Sequence, residues 1–201
     1  MRSIDVFKKS ILAGICISLS CYMYMYVENK IIASMIFSLA LFTICLRKYF
    51  LYTGKIAYVK TVGDVLSALF VLLGNIVGVF ITFGVMYLAD YNVSCVAYQI
   101  VQKKISEEFR VVPLAILCNI LIYFAVDTFK KKYPILVKCI ILMFCIMMFL
   151  LCGFEHCVAN SFYLVASGQI FTVSGFGYLM LNVLGNSIGA IFIHRLNLCN
   201  S

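Results

Sequence analysis

An apolar run over residues 134–167 is interrupted near its middle by Gly153-Phe154-Glu155-His156. A second apolar run, 31–52, is disturbed at its end by Arg47-Lys48 and then by Thr53-Gly54-Lys55. Lipid offers no partner for main-chain N–H and C=O groups, so backbone that leaves the helix at membrane depth must be wrapped in protein or face a watery cavity. Glu155 and His156 raise the same demand, because an ionisable group inside a membrane segment is costly and marks a functional site by default. The two interruptions restrict the chain to folds that keep both broken segments inside a helical bundle.

The remaining runs, about 8–27, 64–89, 111–129 and 170–194, are continuous. A span needs about 20 apolar residues, so six spans are expected in one membrane domain over 1–201, with no soluble domain attached. Hydrophobic residues make up 64% of the chain and charged residues 12%, against about 25% charged in a soluble protein. Ile11–Tyr26 follows Lys8 and Lys9 and imitates a signal peptide. It lacks a small-residue cleavage site, and Glu28-Asn29-Lys30 leads straight into the next run, so a retained first span is expected. Of the ten cysteines, only Cys95 (loop) and Cys199 (tail) lie outside apolar runs, which suits small buried hydrophobes better than a disulfide scaffold. Cys157 beside His156 does not make a metal site. No metal, cofactor or nucleic-acid partner is expected.

The two halves match. Gly74-Asn75-Ile76-Val77-Gly78 follows the first interruption, and Gly185-Asn186-Ser187-Ile188-Gly189 follows the second. Gly-x-x-x-Gly is common helix-packing chemistry, but its recurrence behind two broken segments points to internal repeats with a transport site between them. Three spans per half is an odd number, so the second half, about 111–194, enters the membrane opposite to the first, about 8–89. The predicted fold is therefore an all-α integral membrane protein with six spans in two inverted repeats and breaks in spans 2 and 5. With the N-terminus inside, the inner flanks carry Arg2, Lys8, Lys9, Lys55, Lys60, Lys130, Lys131, Lys132, Lys138 and Arg195, and the outer ones only Lys30, Lys103, Lys104 and Arg110. That bias predicts both termini in the cytoplasm of a cell-membrane protein. Segment 98–110 reads as a short outer interfacial helix, with Lys103 and Glu107 four apart.

These residues resemble the formate/nitrite transporter family. Gly153-Phe154-Glu155-His156-x-x-Ala159-Asn160 is similar to its central-histidine motif, and Leu51-Tyr52-Thr53-Gly54 to its Leu-Phe-Thr-Gly loop. Phe37-Ser38-Leu39-x-Leu41 and the two Gly-Asn-x-x-Gly elements resemble further family segments, in order along nearly the whole chain. The resemblance implies an aquaporin-like fold, a homopentamer with one pore per subunit, and passage of formate, nitrite or hydrosulfide. It also implies an outer lysine, at Lys103 or Lys104, a pore-supporting Asn119, and constrictions from Phe37, Leu41, Leu51, Tyr52, Ile122 and Phe149. Two departures stand out. Lys48-Tyr49-Phe50 replaces a segment that usually carries an acid, and Lys55 stands where asparagine is frequent.

An anion in a low-dielectric path costs of order 20 kcal/mol before compensation. Half-helix N-termini and a central proton donor are two devices that lower this cost. His156 is the candidate donor, its reference pKa lying near neutrality, with Thr53 facing the permeating species through its hydroxyl. A carboxylate does not suit an anion path, so Glu155 is expected to bind backbone N–H groups or an internal lysine. Lys103, Lys104 and Lys55 are expected to attract anions, and Asn75 and Asn186 to support the breaks. The expected function is a channel or proton-linked transporter for a small monovalent anion or its weak acid, and not an enzyme. An aquaporin-like neutral-solute channel lacks its paired Asn-Pro-Ala signatures here. A non-transporting membrane assembly subunit stays open, to be separated from the channel by flux.

Overall fold

A computed structural model describes residues 3–199, the side chain of Glu108 excepted; Arg2, counted above, lies outside them. Main-chain polar groups are satisfied within helices, and no strand occurs among the described residues. The helices are α1 Ser3–Tyr26, α2 Lys30–Leu46, α3 Tyr52–Lys55, α4 Val62–Ala89, α5 Val93–Ser106, α6 Val111–Lys130, α7 Ile135–Leu151, α8 Cys157–Ala166 and α9 Val173–Cys199, with 3₁₀ turns at Ile56–Tyr58, Glu108–Arg110 and Gln169–Phe171. Helices α4, α6 and α9 are long and apolar enough to cross a bilayer, and α2, α7 and α8 are shorter apolar helices. Leu66, Leu73, Val85, Phe144 and Phe192 remain exposed on the outside, an apolar surface that water would not tolerate at this extent. The protein is a multi-pass membrane protein.

The helix ends coincide with the interruptions, and the two turns are built alike. Helix α2 stops at Arg47, where the Lys48 N–H donates to Cys45 O and the Tyr49 N–H to Ile44 O. Helix α7 stops at Cys152, where the Gly153 N–H donates to Leu150 O and the Phe154 N–H to Phe149 O. Both are the paired-bond ending that places one residue in the left-handed region. Gly153 (φ 67°) adopts it freely, whereas Lys48 (φ 54°) is the only non-glycine residue with positive φ among those described.

Packing repeats the same logic. A Cβ at Gly78 would collide with Ile11 O on α1, and one at Gly189 with Ile116 O on α6. The small residues let α4 lie against α1, and α9 against α6, at backbone contact. At the other end of α4, Asp90 accepts from the hydroxyls of Tyr22 and Tyr26 of α1. The Tyr26 bond holds this carboxyl below the usual carboxylate range. The tie is therefore present at neutral pH and is lost as pH falls through the depressed value.

Helix α5 with its 3₁₀ turn occupies the region expected as an interfacial helix, beginning five residues earlier, at Val93. Glu107 does not pair with Lys103. The helix ends at Ser106, and Glu107, as its cap, turns to Arg110 at 2.6 Å. Of the cysteines expected in apolar surroundings, Cys152 is exposed at the end of α7.

Candidate functional site

Asn75 and Asn186 clamp the two interruptions with matching bonds. Asn75 Oδ1 accepts from the Tyr52 N–H (2.9 Å), while its Nδ2 donates to Phe50 O and Ser10 O (both 2.8 Å). Asn186 Oδ1 accepts from the Cys157 N–H (2.8 Å), while its Nδ2 donates to Glu155 O and Ala115 O (both 2.8 Å). Both asparagines are fully buried. Each satisfies main-chain groups that the extended residues before α3 or α8 leave open, and ties them to a neighbouring helix. Asn119 joins the two sites, donating to Asn186 O at 2.7 Å and to Thr53 O at 3.3 Å.

The clamps set His156 against Thr53, with Nε2 3.0 Å from Oγ1. His156 is also the N-cap of α8, its Nδ1 accepting from the Ala159 N–H at 3.2 Å. An amide can only donate, so Nδ1 is the unprotonated nitrogen and the neutral ring carries its proton on Nε2, directed at Thr53. The ring stacks on Phe149 (centroids 6.0 Å apart), which meets Phe37 edge-on at 5.9 Å. His156, Thr53, Phe37, Leu41, Leu51, Tyr52, Ile122 and Phe149 are all buried.

Two cavities approach this pair. One of about 400 Å³ reaches His156 and Phe149 past Lys30 and Lys104. The other, about 710 Å³, ends on Leu41 and Leu51 and includes Lys55 in its wall. Tyr52 and Ile122 line neither cavity, and the Tyr52 hydroxyl meets Ser187 Oγ at 2.8 Å. The second histidine of the chain, His194, contacts Tyr123 OH at 3.2 Å, away from the Thr53 pair.

Glu155 binds an internal lysine. Lys104 Nζ lies 2.8 and 2.7 Å from its two oxygens, and Asn160 Nδ2 donates to Oε2 at 2.6 Å. Lys103 instead lines an adjoining cavity of about 340 Å³ with Arg110 and Tyr178. Which of the two lysines met the carboxylate depended on the phase and docking of α5. Asn160 and Tyr178 went unassigned in the sequence, although Tyr178, Asn182 and Asn186 form a polar row at every fourth position of an apolar run. Glu155→Gln should lower stability by about 2 kcal/mol in thermal unfolding, since it strands an ammonium group that is only partly solvated. Adding Lys104→Met should recover part of that loss, and a double variant worse than the single would show that the pair is not coupled.

Two asparagine-clamped turns, with a buried polar pair between two cavities, form the polar interior of this multi-pass membrane protein. Solved structures share this fold. A pentameric formate channel with formate bound matches over 98% of this chain and 97% of that one, with TM-score 0.85 and 22% identity. An ion channel of the FNT family matches over 99% and 89%, with TM-score 0.80 and 18% identity. No curated protein sequence matches the chain. The formate/nitrite transporter family model matches residues 1–198, and the chain belongs to that family.

Proposed function

We propose that the chain forms a homopentameric channel, one path per subunit, for a small monovalent anion or its weak acid. Formate and nitrite come first and hydrosulfide third. The observation that carries this reading is the His156–Thr53 pair, hydrogen-bonded at 3.0 Å between two opposed cavities. The similar solved channel is a pentamer holding formate. The matched turns and clamps support two inverted repeats, about 8–89 and 111–194, that contribute six spans with breaks in the second and fifth. The lysine bias favours both termini in the cytoplasm of a cell-membrane protein.

Lys103, in the adjoining cavity, draws anions toward the mouth nearest His156, where Lys104 offers an N–H donor, and Lys55 draws them at the other. Glu155 holds Lys104 in place and, with its charge balanced, does not repel the anion. At the centre Thr53 presents a hydroxyl polarised by the His156 Nε2–H. Phe37 and Phe149 on one side, and Leu41 and Leu51 on the other, keep water out, so transit there favours a species neutralised by a proton. Stopped-flow measurement on vesicles holding the purified protein should show flux of formate, nitrite or hydrosulfide, faster at mildly acidic pH. An assembled pentamer passing none of the three above protein-free vesicles would leave the assembly-subunit reading.

A further inference from the structure

The cavity ending on Leu41 and Leu51 has more positive charge around it than a monovalent anion needs. Four lysines from four separate segments line it: Lys9 of α1, Lys48 of the turn after α2, Lys55 of α3 and Lys130 of α6. Among the described residues, none that lines it is acidic. None of the four lysines takes part in an ion pair among the described residues. Asp127, one turn earlier on α6, is engaged by the Tyr58 hydroxyl at 3.3 Å and by Lys131 at 3.0 Å. Aromatic faces hold three of the four cations in place. Lys9 and Lys55 share the Phe50 ring, at 5.9 and 5.7 Å from its centroid, and Lys130 stands 3.1 Å from that of Tyr58.

Gathering four like charges in one wall is unfavourable unless something answers them. Lys48 adds a second cost. It holds the left-handed backbone position that glycine fills in the matching turn, and such a cost at a cavity wall points to a use for the side chain.

We propose that this vestibule binds a soluble multivalent phosphate-type oxyanion, a di- or polyphosphate, and that the occupant blocks the path. The cavity, about 710 Å³, admits such a group, and its charges match four lysines better than one carboxylate would. Its exit past Leu41 and Leu51, only 1% and 4% exposed, is closed to it, because the cost of desolvation grows with the square of the charge. The binding stands independently of the conduction reading; the block rests on it.

Equilibrium dialysis of the purified protein in detergent against labelled inorganic pyrophosphate should show saturable binding, about one per chain. The Lys48→Gln/Lys130→Gln variant should weaken it about tenfold or more, and Lys132→Gln, outside the cavity, should leave it unchanged. Absence of saturable binding, or equal losses in both variants, overturns the site. Displacement of pyrophosphate by phosphatidylglycerol assigns the vestibule to a lipid headgroup and overturns a soluble ligand. In vesicles, pyrophosphate added to one face should slow formate flux well beyond chloride at matched ionic strength. Equal slowing by chloride, or bound pyrophosphate with undiminished flux, overturns the block. Binding by a protein that conducts none of the three anions leaves the site standing and removes the conduction reading.

Discussion

Asn186→Leu is expected to lower the melting temperature of the detergent-solubilised protein by about 10 °C or more. The leucine fills a similar volume but offers nothing to the Cys157 N–H or to the carbonyls of Ala115 and Glu155, all now bonded to the asparagine. Each buried main-chain group left unpaired costs about 1–3 kcal/mol, and a chain of this size loses about 2–4 °C per kcal/mol. The Cys157 N–H and the Glu155 carbonyl lie where the backbone has left the helix, so no neighbouring turn can absorb them, while the Ala115 carbonyl stands within α6 and loses only its tie to the turn. Asn75→Leu should produce a loss of similar size, because it strands the Tyr52 N–H and the Phe50 carbonyl and releases the tie to the Ser10 carbonyl of α1, the same arrangement. Melting temperatures within 2 °C of the parent, a shift of under about 1 kcal/mol, would mean that the clamps do not hold the turns.

His156→Phe is expected to flatten the pH dependence of formate flux and to lower flux at acidic pH by about tenfold or more, within the range of proton-transfer contributions. The substituted ring can keep the stack on Phe149, so assembly should survive. It loses the bond to Thr53 and the cap on the Ala159 N–H, the cap being worth about 1 kcal/mol. His156→Asn separates the two losses. Asparagine caps a helix well and can donate toward Thr53, but it does not titrate in this range. If proton handling at His156 shapes the flux, both variants lose the pH dependence while the asparagine variant keeps the greater stability. An unchanged pH profile in stopped-flow assays between pH 5.5 and 7.5, a window around the reference value of histidine, would remove His156 from any proton role.

How much of this was legible depends on whether the signal was local. The ends of α2 and α7 coincide with the charged and glycine interruptions, because such residues are poor company for lipid and announce themselves one at a time. The Gly-Asn-x-x-Gly pair marked the clamp asparagines, and the glycines show why: a Cβ at Gly78 or Gly189 would strike the neighbouring helix. The bonds each asparagine makes were not legible, since they reach 23 to 71 residues away in the chain. Nor was the choice of Lys104 over Lys103 as the partner of Glu155, which turned on one step of helical phase.

By itself the sequence determined an all-helical membrane protein, the places where α2 and α7 stop, and the polar residues that must be hidden from lipid. Hydropathy and helix-ending chemistry act over a few neighbouring residues, so the order of residues is enough to express them. Only the tertiary structure decided which groups meet: His156 with Thr53, Glu155 with Lys104 and Asn160, and four lysines from four segments around one vestibule. Hydrogen bonds and charge clusters depend on ångström distances between segments far apart in the chain, and packing of the bundle sets those distances.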